Sequence, residues 1–312
     1  MQREMRFGLA GIAGAAALLL TAAAASAQSR PPDCSLKDGE TRSVVRVLDG
    51  DTLLIDGGSE VRLIGALAPR AWDAASDGEA WPLAAAASTA LERLVQGRSI
   101  ELGFAGRRTD RYGRLLAQVF VHDPAEVGRG SGAPIWVQGW LLQHGLARAY
   151  SLEASAGCLS ELLAHERIAR EAVIGLWSVA AYGVRGADEV EHLLERRGTF
   201  QIVEGRVRVV SDLRATTFIN FGEDVRQDFT ISIGAQTRRQ MAASGVDPQS
   251  WAGRSIRVRG WIERRGGPLI EIHHAGEIEP LSETGEAGLP VTPRLAPPAR
   301  ARSRSRSGSS PD

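Results

Sequence analysis

Apolar and polar positions alternate in short runs over residues 43–48, 52–56 and 60–65. A period of two predicts half-buried strands. Asp56-Gly57-Gly58 offers hairpin-turn residues between the second and third runs, so the fold opens as a meander. Residues 82–96, PLAAAASTALERLVQ, place Leu83, Ala87, Leu91 and Leu94 three and four apart, which predicts an amphipathic helix stopped by Gly97. Strands at 99–105 and 114–121 flank the turn-rich GRRTDRYG, and amphipathic helices follow in WVQGWLLQHGLA and over 159–177.

After a polar connector (179–198) with a short helix in DEVEHLLERRG, a second β-rich stretch begins. Five short strands with one intervening helix at TRRQMAASG fit a small barrel of the oligonucleotide/oligosaccharide-binding (OB) kind. The expected fold class is therefore mainly β with α (α+β): a first five-stranded barrel with helices over 42–178, then a second OB-like barrel over 199–283. From 284 to 312 the chain is rich in Pro, Arg, Ser and Gly, too poor in apolar residues to fold, and reads as a basic tail.

A length of 312 residues exceeds what one core usually holds, which agrees with two domains. Lys+Arg and Asp+Glu stand at 37 each, so any anion-binding site must be local. Arg3 and Arg6 precede an apolar stretch ending in Ala25-Ser26-Ala27, which reads as a signal peptide over 1–27 and predicts export, periplasmic or secreted. A polar lead (28–41) follows, and no later segment is long and apolar enough to span a bilayer. In an oxidising compartment, Cys34 and Cys158 are expected to form a disulfide rather than stay free thiols.

Three separated segments carry the chemistry: VLDGDT (47–52), VRLIG (61–65) before Pro69, and RRTDRYGRLLAQVFV (107–121). Together with QHGLARAY (143–150) and GLWS (175–178), their order and spacing resemble the thermonuclease, or staphylococcal nuclease-like, family over residues 42–178. The resemblance implies a five-stranded barrel with helices that hydrolyses DNA and RNA phosphodiesters. It also implies a calcium ion held by two aspartates, two arginines on the phosphate and a glutamate as general base. Carried over by position, Asp51 is the first metal aspartate, Arg62 and Arg114 are the catalytic arginines, and Tyr112 and Tyr150 lie beside the substrate. Guanidinium suits phosphate because it stays charged and can meet two oxygens at once.

The match breaks where the family reads R-L-x-x-x-D-x-P-E. This chain has R-L-I-G-A-L-A-P-R from Arg62 to Arg70, with Leu67 at the second metal aspartate and Arg70 at the glutamate. Calcium favours six to eight oxygens, so the implied Ca2+ site is incomplete. Asp73, Asp77 and Glu79 in the next loop are the acids that would rebuild it. What remains, Arg62, Arg70 and Arg114 around Asp51, describes an anion pocket. Two readings follow: a nuclease with impaired catalysis on nucleic acid, or a noncatalytic module binding nucleic acid, another phosphate-bearing polyanion or a protein partner.

Plainer roles compete for each residue. Asp49-Gly50-Asp51 alone is a turn motif, and Arg62 alone is a strand-edge charge. In the second domain, Phe218, Phe221, Phe229 and Trp261 with Arg206, Arg208, Arg257 and Arg259 suggest a nucleic-acid platform. Alternation with valines favours instead a solvated strand face for those arginines. His273-His274 makes no metal pair, since neighbours on a strand point to opposite faces.

Overall fold

The computed structural model describes residues 34, 36–70, 83–122, 134–151, 158–224 and 226–282. The expected leader, the acidic loop of Asp73, Asp77 and Glu79, and the Arg/Ser tail lie outside them. The first domain contributes strands β1 (Lys37–Asp49), β2 (Thr52–Ile55), β3 (Glu60–Leu63) and β4 (Ala66–Leu67), then helix α1 (Ala84–Val95). Next come β5 (Ser99–Phe104), β6 (Leu115–Val121), β7 (Ile135–Trp136), helix α2 (Val137–Gln143), β8 (Arg148–Ala149) and helix α3 (Leu159–Glu171). β1 is long enough to pair with β5 through its first half and with β2 through its second, and register shifts near Val44 and Val47 mark its bend. The parallel pairing of β3 with β6 then closes a five-stranded barrel.

The polar lead is strand from Lys37 onward. Its exposed polar side chains give no hydrophobic signal, and its ladder with β5 holds it in place. The last helix also differs from expectation, ending at Glu171 rather than Trp177. Val173 has φ 53° and Gly175 φ 60°, and the Leu176 N–H reaches the Gly145 carbonyl at 2.8 Å. A Cβ on Gly175 would strike that carbonyl, so the chain must leave the helix to let two backbones touch. Cys34 is disulfide-bonded to Cys158 at the head of α3.

The second domain comprises β9 (Arg185–Gly186), helix α4 (Val190–Glu195), β10 (Phe200–Arg206), β11 (Val209–Leu213), β12 (Thr216–Asn220), β13 (Thr230–Ile233) and helix α5 (Ala235–Ala243). It finishes with β14 (Ser255–Trp261), β15 (Glu263–Arg265), β16 (Gly267–Ile272) and β17 (Ile278–Pro280). One sheet runs β17-β14-β10-β9 and the other β11-β12-β13-β16-β15. The connectivity repeats that of the first barrel. A parallel pair, β13 with β16, encloses a helix in sequence just as β3 with β6 does. The expected connector is partly sheet, since β9 runs parallel to β10.

Between the domains, Tyr150, Leu176, Trp177, Tyr182, Phe200 and Ile202 form one apolar cluster. Here the expected solvated face fails, because Arg257 and Arg259 on β14 are buried. Arg259 is 1% exposed. It donates to Glu166 of α3 at 3.0 Å, to the Ala149 carbonyl at 2.9 Å and to Glu279 at 2.5 Å. Glu166 also accepts from the Ala149 N–H at 2.6 Å and from Arg170 at 2.9 Å. A buried ion needs such a paired, hydrogen-bonded surround, and here the first domain supplies one counter-charge, Glu166, and the second the other, Glu279. Arg206 and Arg208, farther along β10 and beyond it, stay exposed.

Candidate functional site

Asp49-Gly50-Asp51 joins β1 to β2. The Asp49 carboxylate accepts the Asp51 N–H at 2.9 Å, a turn that sends the Asp51 side chain into the barrel wall. Gly50 is required by space. A Cβ there would lie 2.7 Å from the Ala68 methyl and 2.9 Å from that of Ala87. Asp51 is fully buried, and its Oδ2 accepts the Ala68 N–H at 3.0 Å. Its Oδ1 accepts from Thr52 Oγ1 at 3.3 Å, from Arg62 Nη1, and from Arg70 Nη2 at 3.2 Å.

Arg62 lies on β3, whose register sets it opposite Thr52. It is buried and bonded to Asp51 and Tyr150, so it stands behind the surface. Tyr150, expected beside the substrate, is buried in the inter-domain cluster with its hydroxyl on Arg62. Leu67 packs against that same cluster while β4 pairs with β8. Arg70 spans two carboxylates, reaching Asp51 and, at 3.9 Å, Asp49.

These donors do not fit calcium. Four donor groups already reach the one buried carboxylate, about as many as it has lone-pair sites. Arg70 sets a positive charge beside the one buried carboxylate, and Leu67 supplies no oxygen. Burial pushes the Asp51 carboxyl well above the ordinary aspartate range, against the pull of Arg62 and the Ala68 N–H. Among the described residues, no group of three or more His, Cys, Asp or Glu side chains is placed to hold a metal ion.

Arg70 also faces outward, into an open groove of about 690 Å³ shared with Ser59, Glu60, Tyr112 and Arg114. The loop between β5 and β6 builds the far wall. Asp110 accepts the N–H groups of Tyr112 at 2.8 Å and Arg114 at 3.0 Å, and grips Arg114 Nε at 2.7 Å. Burial opposes ionisation of Asp110, but these bonds outweigh it and hold its carboxyl below the usual range. Tyr112 is 68% exposed. Its ring carries Arg111 at 4.7 Å and Arg114 at 5.6 Å from the centroid. Arg107 and Arg108 extend the exposed cationic stripe.

The structure thus gathers Asp51, Arg62 and Arg70 into one knot, leaves Tyr112 and Arg114 on the groove, and takes Tyr150 out of reach of a ligand. Sequence reasoning overlooked Asp110 and Arg111. The signal was present, since an Asp four residues before an Arg across a glycine turn is built to fix that arginine. Glu60 carried none. In the second domain Phe229 is core, Phe221 packs on it, and His274 Nδ1 accepts the Gly276 N–H at 3.1 Å. No helix among the described residues is long and apolar enough to cross a membrane. Residues 60–179 match the family described as staphylococcal nuclease homologue. No curated protein gives a significant match to the chain.

Proposed function

Because residues 60–179 belong to the staphylococcal nuclease homologue family, we propose that this chain is an exported nuclease-fold protein that binds nucleic acid or a similar phosphate polymer while its calcium-dependent hydrolysis is impaired. The observation that carries this reading is the saturation of Asp51 by Arg62, Arg70, Thr52 and the Ala68 N–H. Arg70 supplies internally the positive charge that a metal would bring.

Binding falls to the groove. Arg114 is oriented by Asp110, and Tyr112 offers an exposed ring for a base. Arg107, Arg108 and Arg111 add charge for a phosphate backbone, a combination suited to single strands. Buried Arg62 and Tyr150 act as positioning residues that hold the groove floor.

Export is supported by the leader-like 1–27 segment, and the Cys34–Cys158 bond suits an oxidising compartment. The mass of the chain recovered from cells, beginning at Gln28, checks that part.

The decisive experiment pairs binding with cleavage. The purified chain should retain single-stranded DNA or RNA with an affinity that falls steeply as salt rises, and should leave both uncut with calcium or with chelator. Calcium-dependent cleavage abolished by Arg114→Ala would overturn the impaired-site reading. A folded protein that holds no polyanion even at low salt would overturn the binding reading.

A further inference from the structure

Where β14 passes the first domain, a second cavity of about 250 Å³ opens between the domains. Its floor is formed by the buried Ser151, Phe200 and Arg259, and its rim by Trp261, Glu263 and Glu271. Ser151 comes from the first domain, so both domains contribute to the lining.

The lining is acidic. Glu263, Glu271 and the more deeply set Glu277 face one guanidinium, Arg259, whose charge is already held by Glu166 and Glu279. Arg265 reaches Glu263 at 3.5 Å and Glu271 at 3.4 Å, but these contacts are exposed and screened by water. An anion would meet repulsion here.

Trp261 is 43% exposed although it is large and apolar. Phe200 and Tyr150 hold it edge-on, at centroid distances of 5.0 and 6.2 Å with interplanar angles of 72° and 88°. A fixed indole face beside carboxylates attracts an organic cation through its quadrupole.

A separate observation points to a ligand. Ser151 is only 7% exposed, and its Oγ has no hydrogen-bond partner among the described residues. Arg259 Nε is likewise buried and unpaired. Buried polar atoms left without partners are costly, and the residues that carry these two both line the one cavity. Together they ask for an acceptor such as a carbonyl.

We propose that this inter-domain cavity binds an organic cation, with its guanidinium or ammonium group against Trp261, Glu263 and Glu271, and an adjacent carbonyl accepting from Arg259 Nε and Ser151 Oγ. A basic amino-acid side chain next to its own peptide carbonyl has this chemistry, and so in part does a free amine.

Isothermal titration of the full chain separates the sources. N-acetyl-L-arginine methylamide stands for the peptide-borne cation, agmatine for a free cation without a carbonyl, N-acetyl-L-alanine methylamide for the carbonyl alone, and inorganic phosphate for an anion. The capped arginine should bind most tightly, agmatine more weakly, and the other two not at all.

Glu263→Gln with Glu271→Gln should weaken capped-arginine binding about tenfold, and Ser151→Ala about fivefold, the latter without lowering the melting temperature of the unliganded protein. The glutamates are at the rim, so their variants should fold. No binding of the capped arginine, equal binding of the alanine compound or of phosphate, or unchanged affinity in folded variants would overturn the proposal. Agmatine binding as tightly as the capped arginine would overturn the carbonyl contact.

Discussion

Arg70 Nη2 sits 3.2 Å from Asp51 Oδ1, on the same oxygen that Arg62 holds. Two guanidinium groups thus share one buried carboxylate oxygen, and the positive charge beside Asp51 comes from the chain itself. Asp51 is consequently part of the stability of the barrel. Asp51→Asn keeps the shape but leaves buried Arg62 without its counter-charge. Urea denaturation should show a loss of about 3–5 kcal/mol, the usual consequence of breaking a buried pair from one side.

The loop of Arg107, Arg108, Arg111 and Arg114 should set the salt dependence of polyanion binding. Arg111→Ala ought to reduce the slope of log affinity against log salt by about one, with folding unchanged. Tyr112→Ala should instead weaken single-strand binding by about 1–3 kcal/mol and leave the slope alone. Titrations at several salt concentrations distinguish the two effects.

Arg259 ties its domain to the first through Glu166 and is also paired with Glu279 of its own domain. Arg259→Met takes the shared buried cation from Glu166 and Glu279, leaving Glu166 only Arg170 and the Ala149 N–H, and should lower stability by about 3–5 kcal/mol. Adding Glu166→Met should restore only part of that loss, because Glu279 still lacks Arg259 and both Arg170 and the Ala149 N–H lose Glu166. A double-mutant cycle in urea measures the coupling directly.

Two glutamates of the same region give opposite pH responses. Burial alone would raise Glu279, but Arg259 and Arg257 overcome it and lower its pKa. Its contribution is complete above the ordinary glutamate value, about 4.3, and disappears as pH falls through the lower folded value. Glu277 is raised, chiefly by burial. Its contribution is complete below about 4.3 and is lost as pH rises through the folded value. Urea midpoints between pH 3 and 7 should therefore show a weaker acid limb in Glu279→Gln. In Glu277→Gln they should show a relative gain that grows towards neutrality.

The disulfide closes a sequence separation of 124 residues. Reduction, or Cys34→Ser with Cys158→Ser, should remove about 3–5 kcal/mol by releasing chain entropy in the unfolded state. Thermal melts with and without reductant provide the test.

Much of the architecture was legible in the chain. Period-two runs located β2, β3, β5 and β6, and the helical spacing of Ala87, Leu91 and Leu94 located α1, because half-buried elements must alternate to face a core. Leu67 and Arg70 were equally readable as side chains that offer no oxygen to a cation, wherever the fold places them.

Sequence could not say where those two side chains go. The turn after β3 hands Arg70 to Asp51, and the β4–β8 pairing brings Leu67 to the apolar cluster between the domains. Nor could alternation along β14 reveal that Arg257 and Arg259 are buried. Period two identifies opposite faces of a strand but not what covers each, and the cover here is α3, about ninety residues earlier in the chain. The sequence by itself determined the strands and the helix periodicity, which depend on neighbouring residues, and the chemical character of Leu67 and Arg70. Only the tertiary structure decided which charges meet, because ion pairs and cavities form between segments that chain order leaves far apart.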